Sequence, residues 1–272
     1  MCGINGFNFK DDLLLKKMSQ ITYSRGPDNE GFYTSNEFSV SHNRLSIIDP
    51  EKRSNQPFKY KNLILSFNGE IYNYLELKDK MILKGYKFET NSDTELIIKL
   101  YSEYGDESFK MLSGIFAISI YDKLKKNILL IRDIVGVKPL YYYFNINDKK
   151  FYFSSLIKPI LLSLKHKTIN NNSILSYANF NRNDFSETFF KNIFKVNPGE
   201  LITYSNNKLT KRKFLNFNFR NKKKLNITED IKNIFSKQFI SDVPIALSLS
   251  GGIDSNLIFS NLYKNKKNKF NV

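Results

Sequence analysis

The sequence predicts a layered α+β domain followed by a shorter α/β segment. Three observations predict it. The chain has 272 residues, 41% hydrophobic and 25% charged, the composition of a packed globular protein rather than a disordered or collagen-like one. Over its first two hundred residues, apolar runs of strand length alternate with segments of helical periodicity. Near residue 250 an apolar run breaks at two glycines into a helix, a β-loop-α pattern different in kind from what precedes it.

Each element has its own signal. Residues 2–9 combine small and apolar side chains and read as a strand. Residues 11–20 read as a helix, with Asp11 or Asp12 supplying an acidic first turn. The apolar run 63–67 reads as a strand ending in a sharp turn at Asn68-Gly69. Residues 72–83 read as a helix with Leu75, Leu77, Met81 and Ile82 on its apolar face and Gly85 as its stop. Residues 92–104 read as another helix, with Ser92 as cap, Glu95 completing a capping box, and Leu96, Ile97 and Leu100 facing inward. Strands are expected at 114–121, 127–132, 140–144 and 150–153. Asn197-Pro198-Gly199 marks a turn before a short strand at 201–204. Beyond it lie a basic linker, a helix over 228–239 capped by Thr228, a buried-type strand over 243–249, and a helix over 253–262. The expected domains are therefore 2–205 and 228–272, joined by a linker at 206–227.

Forty-two Lys and Arg against 26 Asp and Glu give a formal charge of +16. Twelve of the basic residues lie in two acid-free stretches, 207–224 and 261–272. Blocks of lysine are ordinarily solvated surface, and no zinc-finger, RNP-type or other nucleic-acid motif accompanies them, so no nucleic-acid partner is expected. No apolar stretch approaches the roughly 18 residues of a membrane span. The start, Met1-Cys2-Gly3-Ile4-Asn5-Gly6-Phe7, lacks the basic-then-apolar order of a signal peptide. A cytoplasmic protein with no membrane partner is expected. The one cysteine excludes an internal disulfide framework and a cysteine-rich zinc site.

That cysteine, Cys2, becomes the first residue once Met1 is removed, as expected when a small residue follows. Its α-amine, ordinarily of pKa about 7.7–8.0, can then take the proton of a thiol of about 8.5 and deliver it to a leaving amine. No histidine is needed, which suits a chain with only His42 and His166. Cysteines are also often simply buried small side chains, so Cys2 alone leaves both readings open.

The neighbours decide. Seven motifs stand in order over about the first 160 residues. They are Met1-Cys2-Gly3-Ile4, Arg25-Gly26-Pro27-Asp28, His42-Asn43-Arg44-Leu45-Ser46-Ile47-Ile48-Asp49, Phe67-Asn68-Gly69-Glu70-Ile71-Tyr72-Asn73, Ser92-Asp93-Thr94-Glu95, Gly114-Ile115-Phe116-Ala117 and Arg132-Asp133-Ile134-Val135-Gly136-Val137-Lys138-Pro139-Leu140-Tyr141-Tyr142. The set resembles the class II, N-terminal-nucleophile glutamine amidotransferases, and most closely the glutamine-hydrolysing asparagine synthetase family. The resemblance implies a four-layer αββα N-terminal-nucleophile glutaminase domain. It implies attack by the Cys2 thiolate on the glutamine side-chain amide, with the oxyanion held by the Asn68 side chain and the Gly69 backbone N–H. Each such donor is worth about 2.7–4 kcal/mol of barrier. It further implies Arg44 as the fork for the α-carboxylate, Asp93 and the Glu70 backbone on the ammonium side, and the backbone of Leu45, Ser46, Ile47 and Ile48 as pocket lining. Asp28, Asp133 and Lys138 read as structural. The chain departs from the family pattern at Ser24, commonly histidine, in Ser54-Asn55-Gln56-Pro57, usually Gly-His-Gln-Pro, and at Leu156, usually an acid.

Ser250-Gly251-Gly252-Ile253-Asp254-Ser255 follows the run 243–249 and opens a helix. Backbone N–H groups there make an anion site, the serine hydroxyls can donate, and Asp254 can hold Mg²⁺. No Gly-Lys-Ser/Thr follows, so it is not a Walker loop. It is similar to the pyrophosphate loop of ATP pyrophosphatases, and Asp242-Val243-Pro244 upstream fits the synthetase family. The resemblance implies ATP and Mg²⁺ as cofactors, with Ser248, Ser250, Gly251, Gly252, Asp254 and Ser255 at the nucleotide and Asp254 at the metal. The partners it implies are glutamine, ATP and a carboxylate acceptor, aspartate by default or another such as a sugar acid. One strand and one helix around the loop cannot build a parallel sheet, so this part reads as the truncated beginning of an α/β parallel-sheet ATP-pyrophosphatase domain. The chain is then expected to be a fragment, a split gene product or one half of a complex, with a homodimer or a separate chain supplying the rest. Alone it would be at most a glutaminase. An inactive, partner-binding module is the alternative, opposed by the intact Cys2, Arg44, Asn68, Gly69 and Asp93.

Overall fold

The computed structural model describes residues 1–183, 186–215, 226–264 and 270–271. In chain order the elements are β1 (Gly3–Phe7), α1 (Asp12–Thr22), β2 (Asn29–Ser35), β3 (Phe38–Arg44), β4 (Phe58–Tyr60), β5 (Leu63–Ile71), α2 (Tyr74–Leu83) and α3 (Asp93–Tyr104). Then come β6 (Gly114–Asp122), β7 (Asn127–Arg132), β8 (Tyr141–Phe144), β9 (Phe151–Ser154), α4 (Ile157–Ser163), α5 (Asn171–Phe180), β10 (Ile193–Lys195), β11 (Glu200–Ser205) and β12 (Lys208–Lys213). Last are α6 (Ile227–Gln238), β13 (Ile245–Ala246), α7 (Ile253–Lys264) and β14 (Phe270–Asn271). The chain divides into two compact units, Met1–Ser46 with Glu51–Asn216, and Ile47–Pro50 with Phe217–Val272. Among the described residues no helix is long and apolar enough to cross a membrane.

The first unit is built on two six-stranded sheets, in the orders β10-β8-β9-β1-β3-β2 and β12-β11-β7-β6-β5-β4. Their strands pair antiparallel, and alternation sorts the side chains. Ile4, Phe38, Val40, Phe151 and Phe153 of one sheet meet Ile64, Ala117, Tyr121, Leu130 and Ile202 of the other in a shared core. On the outer face of the first sheet, Phe7, Tyr152 and Ile193 pack with Leu15 and Met18 of α1 and Ile160 of α4. On the far side α3 lies against β5, with α2 beside it. The result is the expected αββα order of layers.

Local chemistry explains most boundaries. Asp11 caps α1, its carboxylate accepting the Leu14 N–H at 2.9 Å. Ser92 caps α3 through the Thr94 N–H at 3.0 Å. Glu95 does not complete a capping box. Its carboxylate turns instead to the N–H groups of Glu89 and Thr90 and to Lys99, because a buried lysine next to it needs a counter-charge. On α2 only Leu77 and Met81 of the four expected residues are buried, with Tyr74, whereas Leu75 and Ile82 stay about half exposed. Leu75 and Ile82 lie on the flanks of a narrower buried stripe than the spacing suggested.

Four further expectations are corrected. Asn68-Gly69 is not a turn: β5 runs on to Ile71, paired with β6 through the whole stretch. The first half of the basic linker is strand β12, paired with β11 over six residues. Its apolar Leu209 packs on the core while Lys208, Lys211, Arg212 and Lys213 face water; residues 216–225 of the expected linker lie outside the described residues. In the second unit, Asn226 rather than Thr228 caps α6, accepting the Glu229 N–H at 3.4 Å. There the strand expected over 243–249 shrinks to β13, which pairs in parallel with β14. A run with so little ladder to join has few partners for its backbone groups, and Leu249 is exposed.

Candidate active site

The site grows from a mismatch in strand length. β4 covers only Leu63–Leu65 of the nine-residue β5. Beyond β4, the backbone groups of Phe67, Gly69 and Ile71 point off that edge, and no strand among the described residues receives them. Side chains take over. The Phe67 N–H donates to Gln56 Oε1 at 2.6 Å, and the Phe67 carbonyl accepts from His42 Nε2 at 2.9 Å. The Ile71 N–H donates to Asp93 Oδ2 at 3.1 Å. Between them lies Gly69, whose register partner Phe116 bonds Asp133 with both its N–H and its carbonyl. The Gly69 N–H is thus presented on an uncovered strand edge. A Cβ at Gly69 would come within 2.1 Å of the Ile115 carbonyl oxygen and 2.7 Å of the Phe116 Cα, so backbone approach on the other side demands glycine.

Cys2 stands just before β1, next to this edge. Its N–H donates to Asn68 Oδ1 at 3.0 Å. That bond fixes the orientation of the Asn68 amide and leaves Nδ2 as the other end, buried and without a hydrogen-bond partner. The thiol faces Leu45, with the Leu45 N–H 3.4 Å and the Leu45 carbonyl 3.7 Å from Sγ. Burial pushes the thiol pKa up, while the Leu45 backbone donor and the Arg44 charge pull against it. Arg25 Nε holds the Cys2 carbonyl at 2.9 Å. Asp28 latches the end of β3, its N–H on the Arg44 carbonyl and its Oδ2 on the Ser46 N–H at 2.8 Å. The Arg25-Gly26-Pro27-Asp28 turn therefore sets the rim beside the thiol.

Arg44 is buried, with Nη1 donating to the Glu51 carbonyl at 3.1 Å and to Asn55 Oδ1 at 2.8 Å. Asp93 is buried at the start of α3. Burial first, and the Glu70 charge second among the forces raising it, push its pKa up to about 7, against the N–H donors of Ile71 and Thr94. Burial also raises Glu70, which Lys138 draws back down. His42 is fully buried and its pKa falls to about 4, chiefly through burial. It is therefore neutral, and the Phe67 carbonyl requires the proton on Nε2. Asp133 earns its structural reading: its carboxylate accepts the N–H groups of Val135, Gly136, Val137 and Lys138 and ties that loop to Phe116.

Cys2, Leu45, Asn68, Gly69, Glu70, Asp93 and Arg44 thus share one end of the first unit. Ser46 joins them through Asp28. Ile47 and Ile48 group with the second unit. The sequence reading assigns no role to Asn55, a departure from the family pattern, to Gln56, which keeps the pattern's glutamine, or to His42, part of a motif. Their signal was present in the polar block 54–57, but nothing in the spacing says which backbone groups they reach.

The serine-glycine loop belongs to the second unit. Gly251 has φ +78°, and no atom lies within 4 Å of where its Cβ would be. Ser250 Oγ and Ser255 Oγ are 3.1 Å apart, and the Gly252 N–H approaches Ser250 Oγ at 3.4 Å. An open, glycine-shaped loop at the start of α7 fits a phosphate group. Asp254 is exposed on the first turn of α7. Among the described residues no group of three His, Cys, Asp or Glu is placed to hold a metal. Any Mg²⁺ here would rest on one carboxylate and the ligand's own oxygens.

Comparison with known proteins matches this geometry. Residues 1–215 match the family of the glutamine amidotransferase domain. Asparagine synthetase [glutamine-hydrolyzing] 1 of Bacillus subtilis is 34% identical over 96% of this chain and 43% of its own length. Putative asparagine synthetase [glutamine-hydrolyzing] 2 of Methanocaldococcus jannaschii is 35% identical over 95% of this chain and 56% of its own. The chain spans about half the length of these curated relatives. Among solved structures, the glutamine phosphoribosylpyrophosphate amidotransferase from B. subtilis has a TM-score of 0.53 at 17% identity, covering 97% of this chain and 64% of that one. The structure titled the allosteric regulatory enzyme of purine biosynthesis has a TM-score of 0.56 at 16% identity, covering 100% of this chain and 65% of that one. These two likenesses establish the fold, and the family match with the thiol, amide and strand edge assembled at β5 places the chain in the glutamine amidotransferase family.

Proposed function

We propose that this chain hydrolyses glutamine to glutamate and ammonia at Cys2, as the glutamine-using part of an asparagine synthetase-type ligase. The observation that carries the reading is the two-ended use of Asn68. Its Oδ1 holds the Cys2 nitrogen at 3.0 Å, and its Nδ2 is a buried donor with nothing to bind. A buried donor left unpaired costs free energy unless a ligand uses it.

In the proposed reaction, removal of Met1 turns the Cys2 N–H into an α-amine, held by Asn68 beside its own thiol. The amine takes the thiol proton, and Sγ attacks the glutamine amide carbon. The carbonyl pair moves to oxygen, where Asn68 Nδ2 and the Gly69 N–H receive the charge. The amine returns its proton to the departing nitrogen, and ammonia leaves a thioester on Cys2. Water, deprotonated by the same amine, then releases glutamate and the thiol. Arg44 takes the substrate α-carboxylate and Asp93 its α-ammonium, with the backbone of Leu45, Ser46, Ile47, Ile48 and Glu70 around them.

The second half of the proposal is coarser. The glutaminase takes in strand β12, within the residues 1–215 that match the amidotransferase family, and residues 228–272 open a nucleotide-binding domain. Ser248, Ser250, Gly251, Gly252 and Ser255 would hold the ATP phosphates and Asp254 a Mg²⁺. ATP, when bound, supplies the activation of a carboxylate as an acyl-adenylate. The ammonia released at Cys2 serves a complete synthetase domain, with aspartate as the acceptor that the relatives' names favour and the cytoplasm as the setting.

The test is mass spectrometry after treatment with the glutamine-analogue electrophile 6-diazo-5-oxo-norleucine. An adduct on Cys2 in a chain lacking Met1 is expected, and Cys2→Ala should abolish glutamine hydrolysis. An unmodified Cys2, or Met1 retained in active protein, overturns the reading.

A further inference from the structure

Two consecutive residues that the reaction above does not use, Asn55 and Gln56, touch different parts of the site. The β4–β5 register pairs Phe58 with Leu65 and Tyr60 with Leu63. Continued one rung further, it sets Gln56 opposite Phe67. β4 begins only at Phe58, so no backbone of that strand fills this rung. Gln56 fills the rung with its side chain: Oε1 accepts the Phe67 N–H at 2.6 Å, while Nε2 donates to Thr94 Oγ1 at 3.3 Å. One buried amide thus joins the oxyanion strand to the first turn of α3, next to Asp93. The other half of the same peptide edge, the Phe67 carbonyl, is held at 2.9 Å by His42, which reaches across from the facing sheet. Asn68 and Gly69 are the next two residues. Asn55, meanwhile, accepts Arg44 Nη1 at 2.8 Å.

We infer that Gln56 and His42 are positioning residues for the oxyanion donors of Asn68 and Gly69, and that Asn55 is a positioning residue for the Arg44 carboxylate fork. The inference rests on the glutaminase reading and adds a division of labour to it. Gln56 and His42 act on a charge that exists only in the transition state, so their loss lowers kcat. Asn55 acts on a group bound equally in ground and transition states, so its loss raises KM. The pattern also gives the segment 54–57 a reason for its polar sequence. A side-chain rung replaces a backbone rung where the strand edge must stay open to substrate.

The experiment compares Gln56→Met, His42→Leu, His42→Gln and Asn55→Ala with the unaltered full-length chain. It reads glutaminase kcat and KM, the rate of Cys2 alkylation by iodoacetamide, and the melting temperature. Alkylation by iodoacetamide forms no oxyanion, so it reports the thiol without the hole. Gln56→Met and His42→Leu should lower kcat about 10–100-fold, as expected for a misplaced catalytic donor, while KM and the alkylation rate stay within about twofold. His42→Gln keeps an N–H donor near the Nε2 position and should recover most of kcat. Asn55→Ala, at a partly exposed site, should fold and raise KM about tenfold with kcat within about twofold.

The inference is overturned if folded Gln56→Met and His42→Leu keep full kcat, or if alkylation falls in parallel with kcat, which marks a general displacement of Cys2. It is equally overturned if Asn55→Ala lowers kcat and leaves KM alone; this variant decides the matter should the two core variants fail to fold. An unaltered chain with no glutaminase activity would sink the function and the inference together, whereas an active chain with indifferent variants sinks the inference alone.

Discussion

Asp93 carries a cost that Asp93→Asn should release. Its pKa rises from the ordinary 3.8 to about 7, first because the carboxylate is buried. A shift of about three units corresponds to about 4 kcal/mol at 1.36 kcal/mol per unit, an upper bound for the charge penalty. The asparagine oxygen can still accept the Ile71 N–H, now 3.1 Å from Asp93 Oδ2. Its new NH₂ must find a partner, at a cost of about 1–3 kcal/mol. A net gain of about 1–3 kcal/mol remains. For a unit of this size each kcal/mol raises the melting temperature by about 2–4 °C. The sign depends on pH. Because the folded pKa lies above the unfolded one, the folded state binds the extra proton between about pH 4 and pH 7. The wild-type chain loses this stability as pH rises through that window and loses no more of it above. The variant should therefore melt about 2–10 °C higher than wild type at pH 8, with the difference gone at pH 5. Differential scanning calorimetry at the two pH values checks it. A difference that does not change with pH, or a variant less stable at pH 8, refutes the reasoning. In activity the same variant should lose glutamine affinity, since the substrate ammonium loses its counter-charge, and wild-type KM should rise as pH falls below about 7 for the same reason.

Other perturbations probe the remaining links. Asn68→Ala removes both the acceptor of the Cys2 nitrogen and the orphaned Nδ2 donor; steady-state glutaminase assays should show kcat lower by about 10²–10³-fold. Gly69→Ala puts a methyl 2.1 Å from the Ile115 carbonyl, so a large loss of soluble, cooperatively melting protein is expected; a well-folded, active variant would contradict the tight approach of β5 and β6. Lys99 and Glu95 form a buried pair at 2.5 Å, with side chains 7% and 2% exposed. Lys99→Met should cost about 3–5 kcal/mol in urea unfolding, because Glu95 is left buried without its counter-charge. Adding Glu95→Gln to it should recover part of that loss.

The places where reading the residues fell short share one cause. Strand 127–132 was legible to the residue because its apolar run Ile128–Ile131 follows a lysine-rich stretch and ends before Asp133. Asn68-Gly69 looked like a turn because glycine usually punctuates. Within β5 it serves close backbone approach instead, and only the presence of β6 on one side and the absence of β4 on the other reveals that. Strand β12 looked like a linker because its lysines alternate with few apolar residues. Its pairing partner β11 supplies the ladder that the pattern does not announce. The capping box at Ser92 was half right. The serine caps, but Glu95 answers to Lys99 and the backbone of 89–90, contacts set by packing rather than by spacing.

The same division runs through the site. The resemblance carried by the ordered motifs groups a terminal cysteine, an Asn-Gly pair, an arginine and an acid, and their chemistry suits attack on an amide and the holding of its charges. The alternation and helical periodicity that each segment carries locally announce a layered α+β domain, while the αββα order of its layers is what the resemblance implies. What only the tertiary structure decided is orientation: which end of the Asn68 amide faces the nucleophile, which strand edge is left bare for substrate, and which side chains fill the rung that β4 leaves open. Those depend on contacts between residues far apart in the chain, such as His42 with Phe67 and Gln56 with Thr94. No local pattern encodes them, because a hydrogen bond has direction and its partner's position is set by the packing of the two sheets.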